Sequence, residues 1–142
     1  MSFSQPSNIV EFVKTAMALL RDEFPRAYFL ICANVAGRTI SIDVDGKQVF
    51  LDCKVLGVQF PEGIENPDVR IATSRRTILD AIDARVTIEE AIRDGRLFAR
   101  GRQDYITNCH TALLFFVRGA VRSPSFPALL QEFRRFDASV SS

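Results

Sequence analysis

The chain has 142 residues, with 18 Lys plus Arg against 17 Asp plus Glu; a formal net charge of +1 offers no field that would gather nucleic acid or an anionic surface. One hydrophobic core is the default at this length, burying about 68–70% of the unfolded surface, and 47% hydrophobic with 25% charged residues excludes wholesale disorder and fibrous repeats. Twelve Phe and no Trp supply apolar bulk without polar handles, suited to a packed core or to lining an interior that need not hydrogen-bond its contents.

The opening Met-Ser-Phe-Ser-Gln-Pro-Ser-Asn has no basic n-region, and the first apolar stretch is broken by Glu11 and Lys14, so no signal peptide is expected and the expected location is cytoplasmic. Ser7 can cap a helix from Asn8 to about Asp22, where Ile9, Val13, Ala16, Met17 and Leu20 recur on one face; Pro25 is expected to end it. From Tyr28 to Val55 the period reads as two, giving a three-stranded antiparallel meander with turns at Ala36-Gly37-Arg38 and Asp45-Gly46. The second turn pairs Val44 with Lys47, Ile42 with Val49 and Ile40 with Leu51, placing Thr39, Ser41, Asp43, Phe50 and Asp52 on the opposite, solvated side. Tyr28 to Val35, apolar on both faces, reads as an interior strand.

After a connection around Phe60 to Pro67, Val69 to Thr73 is a short strand. A helix from Ser74 to Ala84 follows, capped by Thr73 or Ser74 and burying Ile78, Leu79 and Ile82. A second begins at Thr87 with Glu90 completing a capping box and stops at Gly95. Arg96 to Arg102 is the last strand, Leu97 and Ala99 pointing one way and Arg96, Phe98, Arg100 and Arg102 the other. Asp104 is the expected cap of a helix to about Arg118 with the stripe Ile106, Cys109, Leu113, Phe116 and Val117. A final helix near Pro127 to Phe136 sets Phe126, Leu129, Leu130, Phe133 and Phe136 on one side. The longest apolar runs, Ala27 to Ala33 and Ala112 to Val117, fall far short of the ~18 residues of a membrane span, so no transmembrane segment is expected.

These elements predict an α+β fold, a mixed, mostly antiparallel five-stranded sheet covered by helices mainly on one face. The stretch from Pro67 to Val117 resembles the second half of the sterol carrier protein 2 family: a strand, a helix opened by Ser or Thr, a short helix, then a Gly-x-Leu-x-x-x-Gly strand leading into a helix. Here that strand reads Asp94-Gly95-Arg96-Leu97-Phe98-Ala99-Arg100-Gly101-Arg102. With the preceding meander, the resemblance covers residues 8–118 as the core of one domain spanning 1–142, with the C-terminal helix at 126–136. Arg102 stands where the family commonly has Asp. The resemblance implies an internal hydrophobic tunnel that carries a fatty acid, acyl chain or sterol-like molecule, with no reaction catalysed and no cofactor. Ile106, Cys109, Leu113, Phe116 and Val117 are its expected walls, with Phe126, Leu129 and Phe133 as a lid. Burying about ten methylenes would contribute roughly 8 kcal/mol gross, so apolar packing alone suffices for weakly selective affinity.

Few other side chains suit chemistry. Cys109 beside His110 suggests a nucleophile and base, but neighbouring helical side chains diverge by about 100° and Cys109 lies on the apolar stripe. Asp43 and Asp45 sit beside a turn and read as solvated turn residues. Cys32, Cys53 and Cys109, widely spaced and accompanied by one His, support neither a disulfide framework nor structural zinc; no metal is expected. Arg75, Arg96, Arg100 and Arg102, with Arg70 and Arg76, are candidate contacts for a carboxylate, phosphate or coenzyme A head group if they converge, and a solvated face otherwise. Two further functions compete: a protein-interaction domain, homodimeric through the Phe-rich C-terminal helix, and a small enzyme of cystatin-like or cyclase type. The enzyme would require polar residues converging in a pocket.

Overall fold

The computed structural model describes the backbone of residues 9–141 and the side chains of residues 9–135. Helix α1 (Ile9–Glu23) buries Ile9, Ala16, Met17 and Leu20 of the expected stripe, and buries Phe12 while Val13 is only half-buried. The cap expected from Ser7 and the helical start at Asn8 lie outside the described residues.

The largest departure from the sequence reading is the next segment. Pro25–Val35 is a second helix, α2, and the interior strand expected over Tyr28 to Val35 does not exist. Pro25 does not merely end α1; it starts α2, since a missing N–H costs nothing in a helix's first turn. Ala27, Ile31, Cys32 and Val35 are buried at helical spacing, while Phe29 is 65% exposed. That outward aromatic made the run look apolar on every side and hid its period. A short apolar run cannot be assigned to helix or strand by periodicity alone.

The sheet holds β1 (Thr39–Val44), β2 (Lys47–Lys54), β3 (Gly57–Gln59), β4 (Val69–Thr73) and β5 (Phe98–Gly101) in the order β3-β2-β1-β4-β5. It is mixed: β1 and β4 run parallel and the other pairs antiparallel. Five strands are present as expected, but the fifth is β3, an edge strand beside β2, while β4 holds the place next to β1 that Tyr28–Val35 was expected to fill. The hairpin register is the expected one, Val44 opposite Lys47, Ile42 opposite Val49 and Ile40 opposite Leu51. Asp45 and Gly46 take φ of 54° and 87°, as the tight turn demands. Asp45 also accepts the backbone N–H of Arg75 at 3.0 Å, tying this turn to the next helix.

Helix α3 (Arg75–Ile82) is capped by Ser74, and α4 (Ile88–Arg93) by Thr87 with Glu90 in a complete capping box. Helix α5 (Gln103–Arg122) runs one turn past the expected end. Its N-cap is Arg102 without a side-chain bond, so Asp104 lies inside the first turn and does not cap it; its carboxylate pairs with Arg102 at 3.0 Å. Gly119 lets α5 approach α1 and α2: a Cβ there would stand 3.1 Å from that of Ala27 and 2.7 Å from a Leu20 methyl. Helix α6 (Phe126–Ser141) buries Phe126, Leu130 and Phe133; the side chain of Phe136 lies outside the described residues.

The two faces of the sheet differ. Ile40, Val44, Val49, Leu51, Cys53, Val69 and Ile71 are buried towards the helices. The opposite face carries Gln48, Phe50, Asp52, Arg70, Phe98 and Arg100, half-buried or exposed. No described helix is long and apolar enough to cross a membrane.

Candidate functional site

Between the covered face of the sheet and the helices lies a cavity of about 170 Å³ that no polar atom faces. Ile40, Ile42, Val44, Leu51, Cys53 and Ile71 form its floor; α1 and α2 contribute Phe12, Val13, Met17, Ile31 and Val35. The roof is α5, through Cys109, Ala112, Leu113, Phe116 and Val117. Ile42 shows the effect of the void. It sits on the covered side of the central strand yet remains only partly buried, because it looks into space instead of a neighbouring side chain. An apolar hollow of ~150 Å³ stays dry and takes up small hydrocarbons, and this one, to which even Thr73 and Thr77 present no polar atom, is of that kind.

Of the residues expected around a ligand, Cys109, Leu113, Phe116 and Val117 line this cavity and Ile106 does not. Phe126, Leu129 and Phe133 do not line it either. Phe126 is 0% and Phe133 1% exposed because their rings are spent on packing: Phe126 meets Phe116 edge-on at 5.9 Å, and Phe133 stacks on Phe12. They brace the wall from behind. The sequence signal for the floor was available in the alternation of β1 and β2. The shares of α1 and α2 depended on how the helices stack.

The arginines do not converge. Arg75 and Arg96 sit where β4 gives way to α3, Arg75 buried over the Phe133 ring at 5.7 Å and Arg96 bound to Asp80 at 2.6 Å. Arg100 is on the uncovered face opposite Arg70. Arg102 lies just past the other end of β5, with the length of that strand between it and Arg96. A head group could not touch all four, and the physical reason is that successive strand residues alternate faces while the strand carries them the length of the sheet.

Burial raises the thiols, Cys53 to about 12 and Cys109 to about 11. His110, next to Cys109, turns away to Glu89 at 3.4 Å. Among the described residues no cluster of three His, Cys, Asp or Glu side chains could hold a metal ion.

The model of the SCP-2 sterol transfer family matches residues 31–113. No curated protein matches the chain. Solved structures share the fold at low identity. The ubiquinone synthesis protein UbiJ-SCP2 superposes with a TM-score of 0.56 at 16% identity, covering 79% of this chain and 96% of its own. A crystal structure of sterol carrier protein 2 gives 0.54 at 16%, covering 80% and 95%. The apo sterol carrier protein 2 of Yarrowia lipolytica gives 0.52 at 12%, covering 84% and 94%.

Proposed function

Because this chain belongs to the SCP-2 sterol transfer family, we propose that it binds and carries an apolar ligand, a fatty acid, acyl chain or sterol-like molecule, in the hollow beneath α5. The observation that carries this reading is an apolar void where close packing is the norm. Empty apolar space forfeits the dispersion contacts of its lining, and an apolar guest restores them. Cys109, Leu113, Phe116 and Val117 are the contacts from the roof. Phe126 and Phe133 act behind it, holding α6 in place. The chain works as one domain over 1–142, in a cytoplasmic setting, and makes or breaks no bond in the ligand; burial keeps the thiols of Cys53 and Cys109 in the unreactive protonated form.

Native mass spectrometry of the protein purified from its own host tests this. A non-covalent apolar adduct is expected, displaced by added fatty acid and lost in Leu113→Trp, whose indole would occupy the space. A protein without adduct that also takes up no neutral fluorescent lipid analogue would refute the proposal. The competing dimer through α6 would need Phe126 and Phe133 to leave their intramolecular packing, which their burial opposes.

A further inference from the structure

Among the described residues two cations near the hollow, Arg38 and Arg75, have a buried Nε without an acceptor; Arg75 is enclosed at 4% exposure, whereas Arg38 keeps part of its surface open. Arg38 is half-buried in the turn between α2 and β1, and among the described residues its side chain makes no ion pair and no hydrogen bond. Its Nε is shut off from solvent without an acceptor. Buried donors are nearly always paired, most of all charged ones.

The surroundings fix where this charge sits. Val35 and Ile40, on either side of Arg38 in the chain, both line the cavity. The backbone N–H of Cys53, another lining residue, donates to the Arg38 carbonyl at 3.0 Å. The guanidinium lies 3.9 Å over the ring of Tyr105, one turn of α5 before the lining residue Cys109. Arg102 approaches the same ring at 4.6 Å, but its charge is answered by Asp104 at 3.0 Å. Arg38 is thus held over an aromatic ring between segments that supply Val35, Ile40 and Cys109 to the apolar void, with no hydrogen bond from its guanidinium among the described residues. A planar guanidinium so held is preorganised for the two oxygens of a carboxylate or phosphate.

We infer that Arg38 is the anion site of the cavity: it receives the carboxylate or phosphate head of a ligand whose apolar tail occupies the hollow. This rests on the carrier reading and adds to it that the preferred ligand is an anionic amphiphile, held head-first at the end of the sheet where β1 and α5 begin. It also replaces the scattered arginines of the sequence reading with one that the reading passed over as a turn residue.

The test uses three ligands sharing one sixteen-carbon chain: hexadecanoate, hexadecyl phosphate and neutral hexadecanol, each displacing a neutral fluorescent lipid analogue from the whole protein. The unaltered protein is expected to bind at least one anionic ligand about tenfold more tightly than the alcohol, in line with a charge-assisted pair. The better of the two identifies the head as carboxylate or phosphate. In Arg38→Gln that preference should fall to within about twofold while hexadecanol binding, which also reports correct folding, stays unchanged. Should Arg38→Gln not fold, Arg38→Lys decides, because it keeps a charge and loses the fork; the preference must drop there without change for the alcohol. Equal affinity for all three ligands in the unaltered protein, or a preference that survives substitution, overturns the inference and leaves the carrier reading standing. Failure of all three ligands to bind overturns both.

Discussion

The ring of Phe133 lies flat on that of Phe12, centroids 3.9 Å apart and planes 13° from parallel. The contact joins the last helix to the first and backs the wall to which Phe12 itself contributes. Truncating a fully buried Phe removes its transfer free energy and leaves a void, so Phe133→Ala is expected to lose about 3–5 kcal/mol. Urea denaturation followed by circular dichroism measures it. A loss below about 1 kcal/mol would show that α6 is not docked in solution.

Acid should loosen that helix. The Glu23 carboxylate accepts the hydroxyls of Ser123 and Ser125 and, at 3.0 Å, the Ser125 backbone N–H, which lowers its pKa from the ordinary 4.5. A hydrogen bond from Arg134 lowers Asp83 from 3.8. Both groups favour the folded protein when charged. Their contribution is therefore complete above the ordinary values and disappears as pH falls through the lower folded ones. Thermal midpoints measured down the acid range should drop less steeply in Glu23→Gln than in the unaltered protein; identical slopes would remove Glu23 from the account.

Gly101 takes φ of 152°, and a Cβ there would stand 2.6 Å from the carbonyl oxygen of Asp68. The obstacle is backbone and cannot rotate aside. Gly101→Ala is expected to destabilise by about 1–3 kcal/mol through strain in β5, read as a lowered denaturation midpoint at unchanged slope. A neutral result would mean that β5 and the segment at Asp68 part easily.

Cys53 and Cys109, each under 5% exposed, should resist thiol reagents in the folded state, because only the thiolate reacts and burial suppresses it. At mildly alkaline pH, labelling followed by mass spectrometry should proceed at the rate of unfolding and quicken with denaturant. Full labelling within minutes in native buffer would contradict the burial described here.

How far the fold could be read in advance depended on distance along the chain. The Asp45-Gly46 hairpin, the Ser74 cap and the Thr87-Glu90 box were legible, since each is an interaction between residues a few positions apart. Resemblance to the sterol carrier protein 2 family over the Gly-x-Leu-x-x-x-Gly strand led to the family and the fold class. Tyr28 to Val35 was not legible because the outward Phe29 masked its helical period, and α5, on which the helix packs, lies far along the chain.

The sequence by itself determined the alternation of β1 and β2, the stripe of α5 and the local caps, because hydrogen bonding and side-chain periodicity act over one or two turns. Only the tertiary structure decided that Phe126 and Phe133 fill space while Leu113 and Phe116 border it, that the arginines part company across the sheet, and that Arg38 lies over Tyr105. Those facts are distances between elements, which no local period encodes; they emerge when helices of given bulk settle on a twisted sheet and leave one hollow unfilled.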